Sequence, residues 1–265
     1  MLGGKAIRLE RILDRNTRRT VLVPVDHGAG MGPIPGLTDL SSVANAAAEG
    51  GANAVIGHLG LALHGHRRSG KDLGLILHFS VSTDLNPVDG NDKVIVNNVK
   101  TALKMGADAV SIHINIGSET EAQQLREFGQ IATDCLEWGV PLLVMAYPRG
   151  PQIQNPNSVE NVAKVARIAA ELGADIVKVP YTGDAKSFKQ VVDGALGVPV
   201  VIAGGAPQDD LVALEMVERA IQAGGAGIAM GRSVFQHADP KAFIAATAAV
   251  VHGGKTASEA AKLLK

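Results

Sequence analysis

Eight short apolar runs recur along the chain: TVLVPVD (20–26), ANAVIGH (52–58), LILHFS (75–80), ADAVSIHIN (107–115), PLLVMAY (141–147), ADIVKVP (174–180), VPVVIAGG (198–205) and GAGIAMG (225–231). Runs of this length, rich in β-branched residues and nearly continuous in hydrophobicity, predict strands covered on both faces. Between most of them the spacing switches to the helical period, as in DLSSVANAAAEG, DKVIVNNVKTALKMG, SVENVAKVARIAAELG and DDLVALEMVERAIQAGG. The short stretch between the second and third runs is the exception. A weak repeat supports the alternation: GGANAV at 50, GADAV at 106, GADIV at 173 and GGAGIA at 224 each put glycine where a helix ends and a strand begins. Glycine there takes the left-handed C-cap conformation without a Cβ penalty.

Eight parallel strands alternating with helices predict a closed (β/α)8 barrel, whose usual size of about 250 residues suits one domain spanning 1–265. An open doubly wound sheet is the alternative, weakened because no G-x-G-x-x-G follows the first run. Pro24 lies inside the first strand and lacks the N–H a ladder needs, so a local bulge is expected there.

The segment IRLERILDRNTRR predicts an amphipathic helix over about 7–17. Its arginines alternate with Glu10 and Asp14 and no aromatic interleaves them, which favours a solvated face over a nucleic-acid-binding arm. The tail TASEAAKLLK reads as a last helix. Of the 265 residues 46% are hydrophobic, 3% aromatic and 31 are glycine, and the formal net charge is −1. Such near-neutrality gives no electrostatic call for nucleic acid or an anionic membrane, so any anion site must be local. The single cysteine, Cys135, excludes an internal disulfide and reads as a small core residue. Neither a signal peptide nor a membrane span is visible, and a cytoplasmic protein is expected.

Lys178 stands out inside ADIVKVPYTGD (174–184). Burying an ammonium among valines and isoleucines costs several kcal/mol unless the group is paired or neutral. Strand alternation puts Lys178 on one face with Ile176, Tyr147 with Met145 and Leu143, and Asp26 with Pro24 and Leu22. If these faces point inward, three ionisable groups from the first, fifth and sixth strands converge at the C-terminal mouth, where such barrels keep their chemistry. Desolvation would bring a lysine down from about 10.4 toward roughly 7–8, leaving a free amine able to attack a ketone. The iminium that results is an electron sink, so a C–C bond one carbon away can break or form, with a tyrosine and a carboxylate moving the protons. A strand-end lysine that simply reaches solvent fits Lys178 taken alone; the register with Tyr147 and Asp26 is what speaks for chemistry. Tyr181 is also near, but it lies in a loop, whereas Tyr147 is fixed on a strand.

Two glycine clusters follow the last two runs, AGGA (203–206) and MGRS (230–233), the second leading into a possible short helix SVFQH. Loops after strands seven and eight, with the start of a short extra helix, commonly hold phosphate in these barrels; glycine admits backbone N–H groups and Arg232 adds a bidentate donor. The same glycines also serve simply to turn the chain. His58, His78 and His113 near the ends of strands two to four, with HGH at 64–66, suggest a competing metal site that would activate an enolate without lysine, although no HExxH spacing is present. The basic loop HGHRRSGK could grip an anionic substrate or be a solvated surface loop.

The motifs VPVDHG (23–28), GHRRSGKDLGL (65–75), GADAVSIHINIGS (106–118), MAYPRG (145–150), GADIVKVPYTGD (173–184), VIAGG (201–205) and MGRSVFQH (230–237) together resemble the archaeal-type class I aldolase superfamily. Within it the resemblance runs to the branch of 2-amino-3,7-dideoxy-D-threo-hept-6-ulosonate synthases, from about residue 7 to 252. It implies a (β/α)8 barrel, Schiff-base chemistry without metal or other cofactor, and a homo-oligomer, often a decamer. It also implies Lys178 as the Schiff-base lysine, Tyr147 as proton donor and Asp26 as proton acceptor. The substrate-binding segments would be Asp26, His27, Gly28, Ala29 and Gly30; Tyr147, Pro148 and Arg149; Gly204 and Gly205; and Gly231 and Arg232. The implied reaction transfers a fragment of 1-deoxy-D-threo-hexo-2,5-diulose 6-phosphate to L-aspartate 4-semialdehyde, on an alternative route to 3-dehydroquinate and the aromatic amino acids. Fructose-bisphosphate aldolase on the same scaffold is the near alternative. Those relatives usually carry tryptophan two residues before the tyrosine, where this chain has Met145. A metal-dependent aldolase and a non-enzymatic sugar-phosphate binder are the remaining alternatives.

Overall fold

The computed structural model describes residues 3–66, 72–85 and 90–264. Its strands are β1 Thr20–Pro24, β2 Ala54–Gly57, β3 Gly74–His78, β4 Ser80–Val81, β5 Val94–Ile95, β6 Ala109–Ile116, β7 Leu142–Pro148, β8 Ile176–Val179, β9 Val200–Ala203 and β10 Gly227–Ala229. All eight predicted strands form. They close into a parallel barrel in the order β1-β10-β9-β8-β7-β6-β3-β2, the (β/α)8 architecture expected from the alternating pattern. Every residue of β1, β2, β3 and β8 is buried, as strands covered on both faces must be.

The helices are α1 Gly3–Leu9, α2 His27–Met31, α3 Leu40–Gly50, α4 Leu59–His64, α5 Val99–Lys104, α6 Glu121–Trp138, α7 Val159–Glu171, α8 Ala185–Gly194, α9 Asp210–Gln222, α10 Arg232–Phe235, α11 Pro240–Val251 and α12 Ala257–Ala260. Sequence signals start several of them. Asp39, Asn98, Ser158, Asp184, Asp209 and Asp239 each accept a backbone N–H of the following first turn. Among the described residues no helix is long and apolar enough to cross a membrane.

The repeat glycines behave as expected, with φ of 85° at Gly51, 78° at Gly106, 104° at Gly173 and 91° at Gly224. The polar residue two positions on has a job of its own. Asn53 Oδ1 accepts the Val21 N–H, Asp108 Oδ2 that of Leu75 and Asp175 Oδ2 that of Leu142, so each ties its strand to the start of a neighbour. The fourth repeat has no such residue and carries Gly227 close by, where a Cβ would lie 1.8 Å from the Thr20 carbonyl oxygen; the β1–β10 seam is too close for a side chain.

Four local expectations are corrected. The N-terminal helix ends at Leu9 rather than near 17, because Leu9, Ile12 and Leu13 turn into the bottom of the barrel and pack beneath Leu22, Ile76, Leu143 and Ile176. The expected arginine face is not all solvated, since Arg11 pairs with Asp108; Lys5, ahead of the predicted helix, is 4% exposed and bonds Asp175 at 2.7 Å. In DKVIVNNVKTALKMG only Val99–Lys104 is helical, since Val94 and Ile95 pair antiparallel with Ser80 and Val81 and Asn98 caps the helix. The stretch between β2 and β3 does hold a helix, the six-residue α4. Finally, Pro24 makes no bulge. Leu22, Val23 and Pro24 pair in unbroken register with Ala54, Val55 and Ile56, and β10 pairs only as far as Ala229, opposite Leu22, so the missing N–H falls beyond the last rung. Residues 67–71 of the basic loop HGHRRSGK lie outside the described residues.

Replacing Lys5 by Ala leaves the Asp175 carboxylate without its cation. Breaking a buried pair in this way costs about 3 kcal/mol, which corresponds to a thermal midpoint lower by about 6–12 °C. Differential scanning calorimetry of Lys5→Ala checks this, and a shift below about 2 °C contradicts it.

Candidate active site

The inner face of the barrel is apolar from its base up to Met145 and Ile176, and ionisable groups begin only above that level. Lys178 is the first of them. It stands on β8 paired with Met145 of β7, is 7% exposed, and its Nζ lies 3.9 Å from the Met145 thioether sulfur, a weak acceptor. Tyr147 comes two residues further up β7, on the same inner face as Met145. Its ring is close to two groups, the His113 imidazole at 4.8 Å between centroids and the Arg149 guanidinium at 4.4 Å. In the ring of strands β7 stands opposite β1, so Asp26, just past the end of β1, approaches from the far wall.

These three side chains line one cavity of about 430 Å3 at the C-terminal mouth. Gly204, Gly205, Gly231 and Arg232 form part of its wall, as do His27, Gly30 and Arg149. A Cβ on Gly231 would lie 2.6 Å from His27 Cε1, and one on Gly204 would lie 2.7 Å from Met230 Cγ. Bare backbone is therefore a packing requirement at both loops, and it is also what an anion needs to reach N–H groups. Of the remaining predicted residues, Gly28 and Ala29 lie on α2 and are not among those lining the cavity. Pro148 lines a neighbouring cavity of about 330 Å3 that shares Tyr147, Arg149, Gly204 and Gly205 with the first; Tyr181 belongs to this second space only.

The histidines proposed as metal ligands are engaged otherwise. His58 Nδ1 is 3.1 Å from the His78 carbonyl, His78 Nδ1 is 2.8 Å from Ser111 Oγ, and His113 Nε2 is 2.9 Å from Asn115 Oδ1. Among the described residues no group of three or more His, Cys, Asp or Glu side chains is arranged to hold a metal ion.

A model of the DeoC/LacD family of aldolases matches residues 20–237, which carry every one of these side chains. The chain belongs to the DeoC/LacD family. It is 43% identical over 250 residues to the 2-amino-3,7-dideoxy-D-threo-hept-6-ulosonate synthase of Halobacterium salinarum, covering 94% of this chain and 92% of that one. It is 36% identical over 250 residues to the class 1 fructose-bisphosphate aldolase of Thermoproteus tenax, covering 91% and 92%. A solved archaeal fructose-1,6-bisphosphate aldolase whose catalytic lysine carries the carbinolamine intermediate superposes with a TM-score of 0.85 at 33% identity, over 93% of this chain and 99% of that one.

Within this DeoC/LacD barrel, sequence reasoning missed the β4–β5 hairpin and with it Lys93, which lines the cavity beside Ser80 and Ser82 and donates to the Ser82 hydroxyl. The alternation in KVIV was the available signal, masked by the helical spacing of the NNVKTALKMG segment beyond it. The His113 contact of Tyr147 depends on the pairing of β6 with β7 and had no sequence signal.

Burial dominates the electrostatics. It pushes His78 down to about 4 against the pull of Asp26, and it lowers His27 and His58 as well; His113 is taken well below the ordinary histidine value by burial, Lys93 and Arg149. Burial also pushes Asp26 up, but His78, His27, Lys178 and His58 outweigh it and hold the carboxyl below the ordinary range. The folded chain thus binds fewer protons than the unfolded one between about pH 4 and the ordinary histidine value of about 6.5. Stability is full above that window and falls as pH drops through it, with Asp26 adding a loss only at still lower pH. His78→Gln is expected to remove up to about 3 kcal/mol of the stability difference between pH 7 and pH 4. Urea unfolding at a series of pH values measures it, and an unchanged slope contradicts it.

Proposed function

We propose that this protein is a class I, metal-independent transaldolase, a 2-amino-3,7-dideoxy-D-threo-hept-6-ulosonate synthase working on phosphorylated ketoses through a lysine Schiff base. The observation that carries this reading is the buried amine of Lys178 sharing a cavity with Tyr147 and Asp26. Its likeness to synthases, 43% to the protein of Halobacterium salinarum and 44% to that of Archaeoglobus fulgidus, supports the choice of reaction. The whole chain acts as one catalytic domain, in the cytoplasm, assembled as a homo-oligomer up to a decamer.

The donor 1-deoxy-D-threo-hexo-2,5-diulose 6-phosphate offers a ketone at C2, and Lys178 adds to it. Tyr147 protonates the carbinolamine oxygen, which leaves as water, and the iminium remains. Asp26 takes the proton of the C4 hydroxyl; the C3–C4 bond breaks, its electron pair flows into the iminium, and the three-carbon aldehyde bearing the phosphate departs. The enamine carbon C3 then attacks the aldehyde of L-aspartate 4-semialdehyde, whose oxygen recovers the proton from Asp26. Water re-enters at C2, the C–N bond breaks, Tyr147 takes its proton back, and the free amine returns. Gly204, Gly205, Gly231 and Arg232 hold the phosphate through backbone N–H groups and a guanidinium. His27, Gly30 and Arg149 complete the walls of the binding site, while Gly28 and Ala29 act from α2 without lining the cavity and Pro148 from the adjoining one. Because Met145 and Ile176 close the floor, water reaches the iminium only from the mouth, which limits its premature hydrolysis.

Borohydride added with the donor is expected to leave one covalent adduct, on Lys178, and Lys178→Met to leave none; an adduct-free wild type whose activity EDTA abolishes contradicts the reading. For Tyr147→Phe, trapping should persist while turnover falls by roughly 10²–10⁴, and near-normal turnover would assign that proton elsewhere. The second reading, fructose-bisphosphate aldolase, is favoured by the Thermoproteus tenax relative. Offering L-aspartate 4-semialdehyde as acceptor alongside an assay of fructose 1,6-bisphosphate cleavage separates the two: the synthase transfers to the semialdehyde far faster than it cleaves the bisphosphate.

A further inference from the structure

Asp26 occupies the N-cap position of α2, yet its side chain caps nothing, and Oδ1 is buried without a hydrogen-bond partner. An aspartate there ordinarily accepts an N–H of the first turn. This one faces the cavity, and the N–H-bearing side chains close to it are two imidazoles. His27 Nδ1 is 3.7 Å from Oδ1, but that nitrogen has no hydrogen-bond partner and the ring makes only an edge contact with Phe235 at 5.2 Å. His78 Nε2 is 3.8 Å from Oδ2, and this ring is held: it is 2% exposed, tilted against His58 at 5.2 Å, and bound through Nδ1 to the fully buried Ser111 hydroxyl at 2.8 Å. Because His78 and Ser111 are direct partners across β3 and β6, strand pairing itself sets that bond.

We propose that His78 is the positioning residue for Asp26, a neutral imidazole whose Nε2–H is aimed at the carboxylate and whose tautomer is fixed by the Ser111 hydroxyl donating to Nδ1. The proposal rests on the Schiff-base reading above, in which Asp26 takes the C4 hydroxyl proton. A neutral donor suits that task better than a cation would. It keeps the carboxylate ionised and oriented without neutralising it as an ion pair. The gap of 3.8 Å closes to a hydrogen bond when substrate fills the cavity, as catalytic hydrogen bonds commonly do on going from free enzyme to complex. The other charged and titratable groups facing this pair are His27 on α2, His58 after β2, Lys178 on β8 and Lys93 beside β5, with Arg232 acting on His27.

The test is kcat/KM against pH for the wild type, His78→Leu, His78→Gln and Ser111→Ala, with borohydride trapping run in parallel. His78→Leu is expected to lower kcat/KM by about 10- to 100-fold and to move the acid limb of the profile up by about one pH unit, since the carboxylate loses its donor, while the trapping yield holds. His78→Gln retains an N–H and recovers most of the loss. Ser111→Ala, a smaller change that guards against misfolding of the leucine variant, lowers kcat/KM less than tenfold and moves the limb in the same direction. Limbs that superimpose on the wild type, a glutamine variant no better than leucine, or trapping that falls in step with rate each overturn the proposal. A wild type that forms no adduct fails the Schiff-base reading itself and takes this proposal with it; normal wild-type trapping with unmoved limbs fails the proposal alone.

Discussion

An amine on the inner wall of a closed parallel barrel is held away from bulk water by the same packing that makes the barrel stable. Lys178 cannot turn to the outer face, because β8 is covered there by the helices packed around the barrel, and it cannot reach down, because Met145, Ile176 and the layer beneath them fill the bore. Its nitrogen is left at the one level where the apolar interior meets the polar mouth, 7% exposed and with a thioether at 3.9 Å.

The rest of the mouth is organised around that level. Tyr147 is delivered by the neighbouring strand and lies close to His113 and Arg149, while Asp26 comes from the opposite wall, so a phenol and a carboxyl reach the cavity from two sides. The histidines that surround Asp26 are kept neutral by burial, so the site combines one amine, one carboxylate and several uncharged hydrogen-bonding rings. Glycines at 204 and 231 let the chain close tightly at β9 and β10 and leave peptide groups at the cavity wall. The chain belongs to the DeoC/LacD aldolases, and its relatives include both synthases and fructose-bisphosphate aldolases.

Much of this was readable in the chain before any fold was known, for a physical reason: strands buried on both faces announce themselves as unbroken apolar runs, and a lysine inside one is conspicuous. The alternation that put Lys178, Tyr147 and Asp26 on inner faces needs only a period of two. What escaped were features that depend on long-range pairing. Arg11 looked like part of a solvated helix face until Asp108, far away in sequence, supplied its partner. Val94 and Ile95 form a strand only because Ser80 and Val81 are there to pair with them, and Lys93 reaches the cavity as a result. Pro24 looked anomalous because the sequence does not say that β10 stops at Ala229.

The most direct measurement is a crystal structure of the enzyme reduced with borohydride in the presence of its ketose phosphate. Continuous density from Lys178 Nζ to C2 of the sugar is predicted, with the Tyr147 hydroxyl and the Asp26 carboxylate within hydrogen-bonding distance of the substrate. Density for an adduct on a different lysine, or a Lys178 side chain swung out into solvent with the phenol remote from the sugar, would contradict the mechanism and leave only the barrel.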